Sequence, residues 1–181
     1  MITITGTKFG TIEVDETSTV TFANGLIGFP DCRTFVLLER GPNKVVGHLQ
    51  AVEEPGLSFP VMDGALIDPG SYPEPSLEDL ARGAGLAGSE LALLVVVAVR
   101  PDSKTLEANL LAPLVVDVET RRGAQVVLDP RRYDANAPVM MTTSATEAEA
   151  KPAPEAPMPI AVEAIAEAQA KIAALRARSA G

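Results

Sequence analysis

The feature that most constrains the fold is an uninterrupted apolar run, LALLVVVAV, from Leu91 to Val99. A helix that crosses a bilayer needs about 20 apolar residues, so this run is too short to span a membrane. It also carries no polar residue at alternate positions, which is the pattern of a strand buried on both faces. The run therefore predicts a central strand in a sheet that is covered on both sides.

The rest of the first 134 residues is also predicted to be mostly β-structure. Gly, Pro and Asp interrupt short runs that are rich in Val, Ile, Thr and Leu, as is typical of strands. Further candidate strands are marked by the pairs Ile2/Ile4, Ile12/Val14 and Val20/Phe22 and by residues 35–38, 45–52 and 58–62. Many short strands favour a closed or nearly closed antiparallel β-barrel, because closure removes the exposed edges that promote aggregation.

One short helix is predicted in the sequence SLEDLARGAGL. Ser76 and Asp79 form a capping-box pattern at its start, and Leu77 and Leu80 are spaced to face inward. The glycines of GAG end it. The expected fold class is therefore mainly β, with a small antiparallel barrel-like domain and one short helix.

The composition changes sharply after Val139. Residues 142–159, TTSATEAEAKPAPEAPMP, contain no large apolar residue before Met158 and have too little apolar surface to fold alone. Residues 160–181 are rich in helix formers, with acidic residues early and basic residues late. The sequence predicts a barrel domain at 1–139, a Pro/Ala-rich linker at 140–159 and a C-terminal helical extension at 160–181, either exposed or docked.

Charge and cysteine content narrow the function. The net charge is −9 and the isoelectric point is near 4.6, which disfavours direct binding to nucleic acid because phosphate contacts rely on clustered Lys and Arg. With Cys32 alone, neither an intramolecular disulfide nor a cysteine-rich zinc site can form. The start, MITITGTKFG, lacks a basic region followed by an apolar run. We therefore expect a cytoplasmic protein with no membrane partner.

No catalytic constellation is recognisable, and we predict that the protein is not an enzyme. His48 is the sole histidine. Arg33 stands next to Cys32 and could lower the pKa of its thiol, but no catalytic partner for Cys32 is identifiable, so a buried or incidental thiol is the favoured interpretation. The glycines of GLIGFP and GAGLAG are typical of turns rather than of a phosphate-binding loop. No cofactor or metal is predicted.

Acidic residues are concentrated between Glu53 and Glu90. Eight acidic residues stand against one base, Arg82, so this segment has a net charge of 8 × (−1) + 1 = −7. Two interpretations explain this pattern equally well. The segment is either an ordinary solvated face or a surface that attracts a basic partner and repels RNA.

The stretch EANLLAPLVVDVETRRGAQVVLD, residues 107–129, is interpreted as one long apolar strand, a charged turn and a second strand. Alternation predicts that Leu110, Ala112, Leu114 and Val116 face the core. Leu111, Pro113 and Val115 then lie on the opposite side, although they are also apolar. A bulge at Pro113 that swaps the faces, a second layer that covers them, or an exposed patch for a partner would each explain this.

Four sequence blocks together resemble the FliW family of bacterial flagellar assembly factors. They are VTFANGLIGFPDCRTFVLL from Val20, HLQAVEEPGLSFPVMD from His48, LALLVVVAV with the following Arg100 and Pro101, and ANLLAPLVVDVETRRGAQVVLDPRRY from Ala108. The blocks occur in the family's order. The asparagine-led apolar block with its Arg-Arg-Gly turn is the most specific of them.

The resemblance implies a barrel that acts by exchanging partners. Such proteins bind newly made flagellin and CsrA, the dimeric repressor of flagellin messenger RNA, so that the free protein takes CsrA off the RNA. Partner-binding candidates here are Glu53, Glu54, Asp63, Asp79, Asn109 and Arg121. Two alternatives stay open: a small acidic barrel that binds a ligand or metal, and a scaffold oligomerised by its C-terminal helix.

Overall fold

A computed structural model describes residues 1–39, 45–67, 77–88, 90–100 and 105–139, together with the backbone of Met158–Pro159. Ser76, residues 140–157 of the predicted linker and the predicted C-terminal helix at 160–181 lie outside the described residues. Among the described residues no helix is long and apolar enough to cross a membrane.

The described elements are mainly strands, as the sequence predicts. In chain order the strands are β1 (Ile2–Thr7), β2 (Gly10–Val14), β3 (Thr19–Phe22), β4 (Thr34–Glu39), β5 (Val46–Ala51), β6 (Ser58–Asp63), β7 (Leu91–Val99), β8 (Leu106–Ala108), β9 (Leu114–Asp117), β10 (Arg122–Gln125), β11 (Ala137–Pro138) and β12 (Met158–Pro159). One α-helix, α1 (Leu77–Gly83), lies between β6 and β7, and 3-10 turns occupy Glu16–Ser18 and Gly64–Leu66.

Seven of these strands form a closed barrel. Neighbouring strands pair in the order β7-β6-β5-β4-β3-β10-β9, and β9 pairs with β7 to close the ring. The mainly β, barrel-like fold predicted from the sequence is confirmed. All pairs in the ring are antiparallel except β3 with β10, which run parallel. No local sequence pattern indicates that parallel pair, because it joins strands about 100 residues apart in the chain.

The central strand β7 is covered on both faces along most of its length. Ala92 and Leu94 belong to the apolar cluster inside the barrel, whereas Leu93, Val95 and Val97 belong to a second cluster outside it. The predicted burial on two faces is therefore confirmed for this part of the strand, and its last two residues are exposed.

Helix α1 covers the outer cluster. Ala81 is buried there with Leu77 and Leu80 packed against it, as the sequence predicts. The helix ends in a glycine cap: Gly85 has φ +73°, and the N–H of Leu86 donates to the carbonyl oxygen of Ala81 at 2.8 Å. This cap turns the chain back toward the start of β7.

The hairpin of β1 and β2 packs on the outside of the barrel wall. Ile4, Ile12 and Val14 are buried with Val36 and Leu38 of β4 in a third apolar cluster. Because Phe35 and Leu37 face the interior cluster, β4 is also buried on both faces.

The prediction of one long apolar strand at the start of the stretch 107–129 is wrong. β8 ends at Ala108 and β9 begins at Leu114, and the Oδ1 of Asn109 accepts a hydrogen bond from the N–H of Ala112 at 3.0 Å in the irregular segment between them. Leu110 is buried in the outer cluster, whereas Leu114 lies inside the barrel. The side chains therefore change faces across the interruption.

Two of the three explanations offered for the two-faced stretch hold. The interruption before β9 swaps the faces, and helix α1, which contacts β9, forms a second layer over the outer cluster that contains Val115. Leu111 packs against the same cluster. The prediction that Leu110 and Leu114 share one face is wrong, although both are buried.

The Arg-Arg-Gly turn has a packing reason. A Cβ on Gly123 would lie 2.5 Å from Cε1 and 2.6 Å from Cζ of Phe22, whose ring lies over this glycine at the parallel pair of β3 and β10. Phe22 is fully buried, so its ring cannot move aside into solvent.

We predict that Gly123→Ala lowers the free energy of unfolding by about 1–3 kcal/mol, the usual cost of overpacking a core. Denaturant unfolding measures it. The control is Gly56→Ala, because a Cβ at Gly56 meets no heavy atom within 4 Å. Equal stability of the two variants would contradict the packing argument.

Candidate functional site

Several loops meet at one end of the barrel. Arg122 lies opposite Thr21 across the parallel pair, and Thr21 lies opposite Thr34. The N–H of Val52 donates to the carbonyl oxygen of Thr34 at 2.9 Å. The β3–β4 loop and the β5–β6 turn therefore lie side by side at this end, and Gln125 at the end of β10 links the β3–β4 loop to the segment before β9. Because β10 runs parallel to β3, the β9–β10 turn that precedes β10 lies at the other end of the barrel, with the start of β3.

Three carboxylates form an acidic rim at this end. We use the name acidic rim for Asp31, Glu53 and Glu54. All three side chains are exposed and lie close to Cys32: Asp31 precedes it in the chain, Oε2 of Glu54 lies 3.7 Å from its Sγ, and Glu53 precedes Glu54. The same two loops, residues 23–33 and 52–57, carry a single base, Arg33.

Hydrogen bonds fix the two glutamates of the rim. The carboxylate of Glu53 accepts from the N–H of Thr34, with distances of 2.9 Å to Oε1 and 3.1 Å to Oε2. Oε2 of Glu54 lies 3.7 Å from Sγ of Cys32, which donates to it. Glu53 thus contacts the strand that follows the neighbouring loop, and Glu54 contacts that loop itself.

A buried glutamine shapes the turn that carries these glutamates. Nε2 of Gln50 donates to the carbonyl oxygens of Ala51 at 3.0 Å, Pro55 at 2.9 Å and Leu57 at 3.0 Å. Gln50 is fully buried, so water does not compete for these bonds. This role was missed from the sequence, where Gln50 is only a polar interruption in a strand pattern.

Cys32 is not an activated nucleophile. Burial raises the pKa of the Cys32 thiol, and the nearby carboxylates of Glu54, Glu53 and Asp31 raise it further. The suggestion that Arg33 could lower this pKa is therefore wrong, and the interpretation of Cys32 as a buried, unreactive thiol holds.

The GLIGFP segment is a tight turn with an apolar surface. Gly25 has φ +63°, and a Cβ there would collide with the carbonyl oxygen of Phe29, so glycine is required. The Phe29 and Phe59 rings meet edge to face at 5.3 Å between centroids. The N–H of the exposed Ile27 donates to Oε1 of Gln125 at 2.8 Å, which fixes the turn on β10.

The six predicted partner-binding residues do not converge on one surface. Arg121 precedes β10 and lies toward the start of the parallel strand β3, at the barrel end away from Glu53 and Glu54, and its carbonyl oxygen accepts from the N–H of Thr21 at 2.9 Å. Asp63 ends β6 and accepts from the N–H of Ala65 at 2.8 Å.

The other two candidates lie on different elements. Asp79 is on helix α1 in an ion pair with Arg82 at 2.8 Å, and Asn109 lies at the interruption between β8 and β9. Asp31 belongs to the rim but was missed, because only the strand register shows that its loop meets the β5–β6 turn.

Asp117 is a buried charge at the opposite end of the barrel from the acidic rim, where β9 ends beside the start of β7. Its Oδ1 accepts from the N–H groups of Glu119 at 3.1 Å and Thr120 at 3.0 Å, which caps the β9–β10 turn. Burial raises the pKa of Asp117, but hydrogen bonds from the backbone and side chain of Thr120, with further backbone bonds, outweigh it and hold the pKa below its ordinary value of 3.8. A Cβ on Gly88 would collide with this carboxylate.

The described residues contain no group of three or more His, Cys, Asp or Glu side chains that could hold a metal ion. The sole histidine packs beside the β1–β2 hairpin, with the ring centroids of His48 and Phe9 4.9 Å apart and Nζ of Lys8 3.3 Å from its Nδ1. The oligomeric scaffold hypothesis depends on residues outside the described part of the chain.

Fold and site together define a small closed β-barrel whose distinctive surface is an acidic rim. The family model described as "FliW protein" matches residues 3–139. The chain belongs to the FliW family of flagellar assembly factors.

Individual relatives agree with this assignment. The flagellar assembly factor FliW of Natranaerobius thermophilus is 37% identical over 138 residues, which are 75% of this chain and 91% of that protein. The FliW of Syntrophotalea carbinolica is 36% identical over 135 residues, 74% of this chain and 94% of the relative. A crystal structure of the flagellar assembly factor FliW superposes with a TM-score of 0.65 at 27% identity, covering 78% of this chain and 99% of the other.

The buried carboxylate of Asp117 predicts a pH-dependent contribution to stability. Its pKa is lowered in the folded state, so the contribution is present above pH 3.8 and is lost as the pH falls through the folded pKa. We expect Asp117→Asn to lower the free energy of unfolding at pH 7 by about 1–3 kcal/mol.

Denaturant unfolding between pH 7 and pH 2.5 measures this difference, which should shrink below about pH 4. Glu13→Gln, an exposed change on β2, serves as the control and should show no such trend. A stability loss that stays constant down to pH 2.5 would rule out the charge as its cause.

Proposed function

We propose that the protein binds flagellin and the translational repressor CsrA and relieves repression of flagellin messenger RNA by exchanging one partner for the other. While newly made flagellin occupies the protein, CsrA remains on the RNA. When flagellin is exported, the released protein takes CsrA off the RNA and translation resumes. The role is that of a regulatory binding protein in the cytoplasm, without catalysis.

The observation that carries this proposal is the acidic rim, considered with membership of the FliW family. An RNA-binding repressor needs positive charge on the surface that contacts phosphates. Asp31, Glu53 and Glu54 present negative charge at a barrel end whose two adjoining loops carry one base. Such a surface attracts a basic protein and repels RNA from the complex.

The rim is also held in place before a partner arrives. Glu53 is fixed by the N–H of Thr34, and the turn of Glu53 and Glu54 is shaped by the buried side chain of Gln50. A surface that is already ordered loses less conformational entropy on binding. Asp63, Asp79, Asn109 and Arg121 remain candidate contacts.

Recovery of the full chain from its native cells tests the proposal directly. We expect CsrA and flagellin among the proteins identified by mass spectrometry, in separate complexes that compete when the purified proteins are mixed. Recovery of neither protein would overturn the proposal. Simultaneous binding of both would overturn the exchange mechanism alone.

Charge removal at the rim is the more specific prediction. Glu53→Gln with Glu54→Gln keeps oxygen acceptors for Thr34 and Cys32 but removes two charges. We expect the association rate with CsrA at low salt to fall about three- to tenfold, with a smaller change in dissociation, because exposed rim charges act mainly on encounter.

Surface plasmon resonance at several salt concentrations measures both rates. The matched control is Glu13→Gln with Glu16→Gln, two exposed glutamates on and after the β1–β2 hairpin, which changes the net charge equally. If both double variants slow association by the same factor, overall charge and not the rim attracts the repressor.

A further inference from the structure

We propose that the open edge of β4 is an interaction site for an extended peptide, and that the C-terminal segment of the chain occupies this site as a competing strand. The segment is Met158–Pro159, the described part of β12. A partner peptide that adds to β4 must displace this segment. This proposal does not depend on flagellin or CsrA.

The edge exists because β3 is shorter than β4. The last register pair between them on this side is Thr19 with Val36, and the 3-10 turn at Glu16–Ser18 directly precedes Thr19 and leads the chain away. β4 continues to Glu39. Its last three residues therefore extend beyond the end of β3.

The backbone groups of Glu39 face this open side. The N–H of Phe22 in β3 donates to the carbonyl oxygen of Arg33 at 2.8 Å. Alternate residues of a strand direct their N–H and C=O groups to the same side, so Phe35, Leu37 and Glu39 share that direction. An added strand at this edge can therefore exchange hydrogen bonds with Glu39.

β12 uses that position. Met158 lies opposite Glu39 and Pro159 lies opposite Leu38, in antiparallel register. Successive antiparallel pairs alternate between hydrogen-bonded and non-hydrogen-bonded pairs, and Pro159 has no N–H. The hydrogen-bonded pair is therefore Met158 with Glu39, in agreement with the direction derived from β3.

The occupying strand lies outside the family's common barrel. The family model ends at residue 139, and 78% of this chain already accounts for 99% of the FliW chain in the crystal structure. A strand at residues 158–159 is thus an addition to a barrel that closes without it. It covers the end of β4, and an uncovered strand edge can accept a strand from another chain.

The segment's own sequence indicates the chemistry of a competing peptide. Residues 156–162, APMPIAV, are uncharged and lie between Glu155 and Glu163. Prolines favour an extended backbone. The site therefore suits an uncharged, extended segment of proline and aliphatic residues that adds to the sheet by backbone pairing. A tethered strand competes at an effective concentration on the order of millimolar, which weakens the apparent affinity of any peptide in solution.

Met158 offers a sharp test because Pro157 and Pro159 flank it, so its N–H is the sole backbone donor of this tripeptide. Met158→Pro removes that donor, and Met158→Ala is the matched control that keeps it. The probe is a fluorescently labelled peptide of residues 154–163, PEAPMPIAVE, titrated into the full chain and into both variants. Thermal unfolding checks that the barrel is intact.

We expect the peptide to bind the Met158→Pro chain at least about tenfold more tightly than the unchanged chain, with Met158→Ala close to the latter. The amide hydrogen of Glu39 should exchange faster in Met158→Pro alone. Absence of peptide binding to Met158→Pro, or equal binding to all three chains, would overturn the proposal. A Met158-dependent dimer in light scattering would place the strand on a second copy and overturn occupation within one chain.

Discussion

The barrel depends on the pairing of β7. One edge of this strand pairs with β6, and the other pairs first with β9 and then with β8. Pairing with β9 closes the ring. The C-terminal part of β7 pairs with β8, which in turn pairs with β11. Because its two faces lie in different apolar clusters, the same strand holds the interior of the barrel and the layer under helix α1 together. A polar side chain in the middle of β7 would lie in one of these two clusters, which explains the uninterrupted apolar run.

Much of this architecture could be predicted from the sequence because local signals agree with the global fold. The apolar run of β7, the glycine-ended helix and the alternation in the outer hairpin each reflect one physical requirement. The parallel pair of β3 and β10 could not be predicted, because no local pattern records which distant strand lies alongside. The change of faces before β9 was foreseen only as one option, since Pro113 marks an irregularity without giving its length.

The candidate site was likewise only partly predictable from the sequence. Glu53 and Glu54 stand out in the sequence because they are adjacent acids in a turn. Asp31 does not, since its relevance depends on strand register, and Gln50 does not, since its relevance depends on burial. The family's most specific motif proved to be structural: Gly123 leaves room for the Phe22 ring. Motifs of this kind preserve barrel closure, while the partner surfaces consist of exposed side chains and strand edges that closure leaves unconstrained.

The acidic rim and the open edge of β4 lie at opposite ends of one strand. Thr34, which donates to Glu53, begins β4, and Glu39, which faces β12, ends it. Five residues of extended strand separate them by about 17 Å. A strand at Glu39 therefore does not cover the rim, and a partner docked on the rim alone does not displace it. A partner that contacts both would have to follow β4 along the barrel wall, and only such a partner would have to compete with the C-terminal segment of the chain. The extension would then select between two modes of binding rather than block all binding.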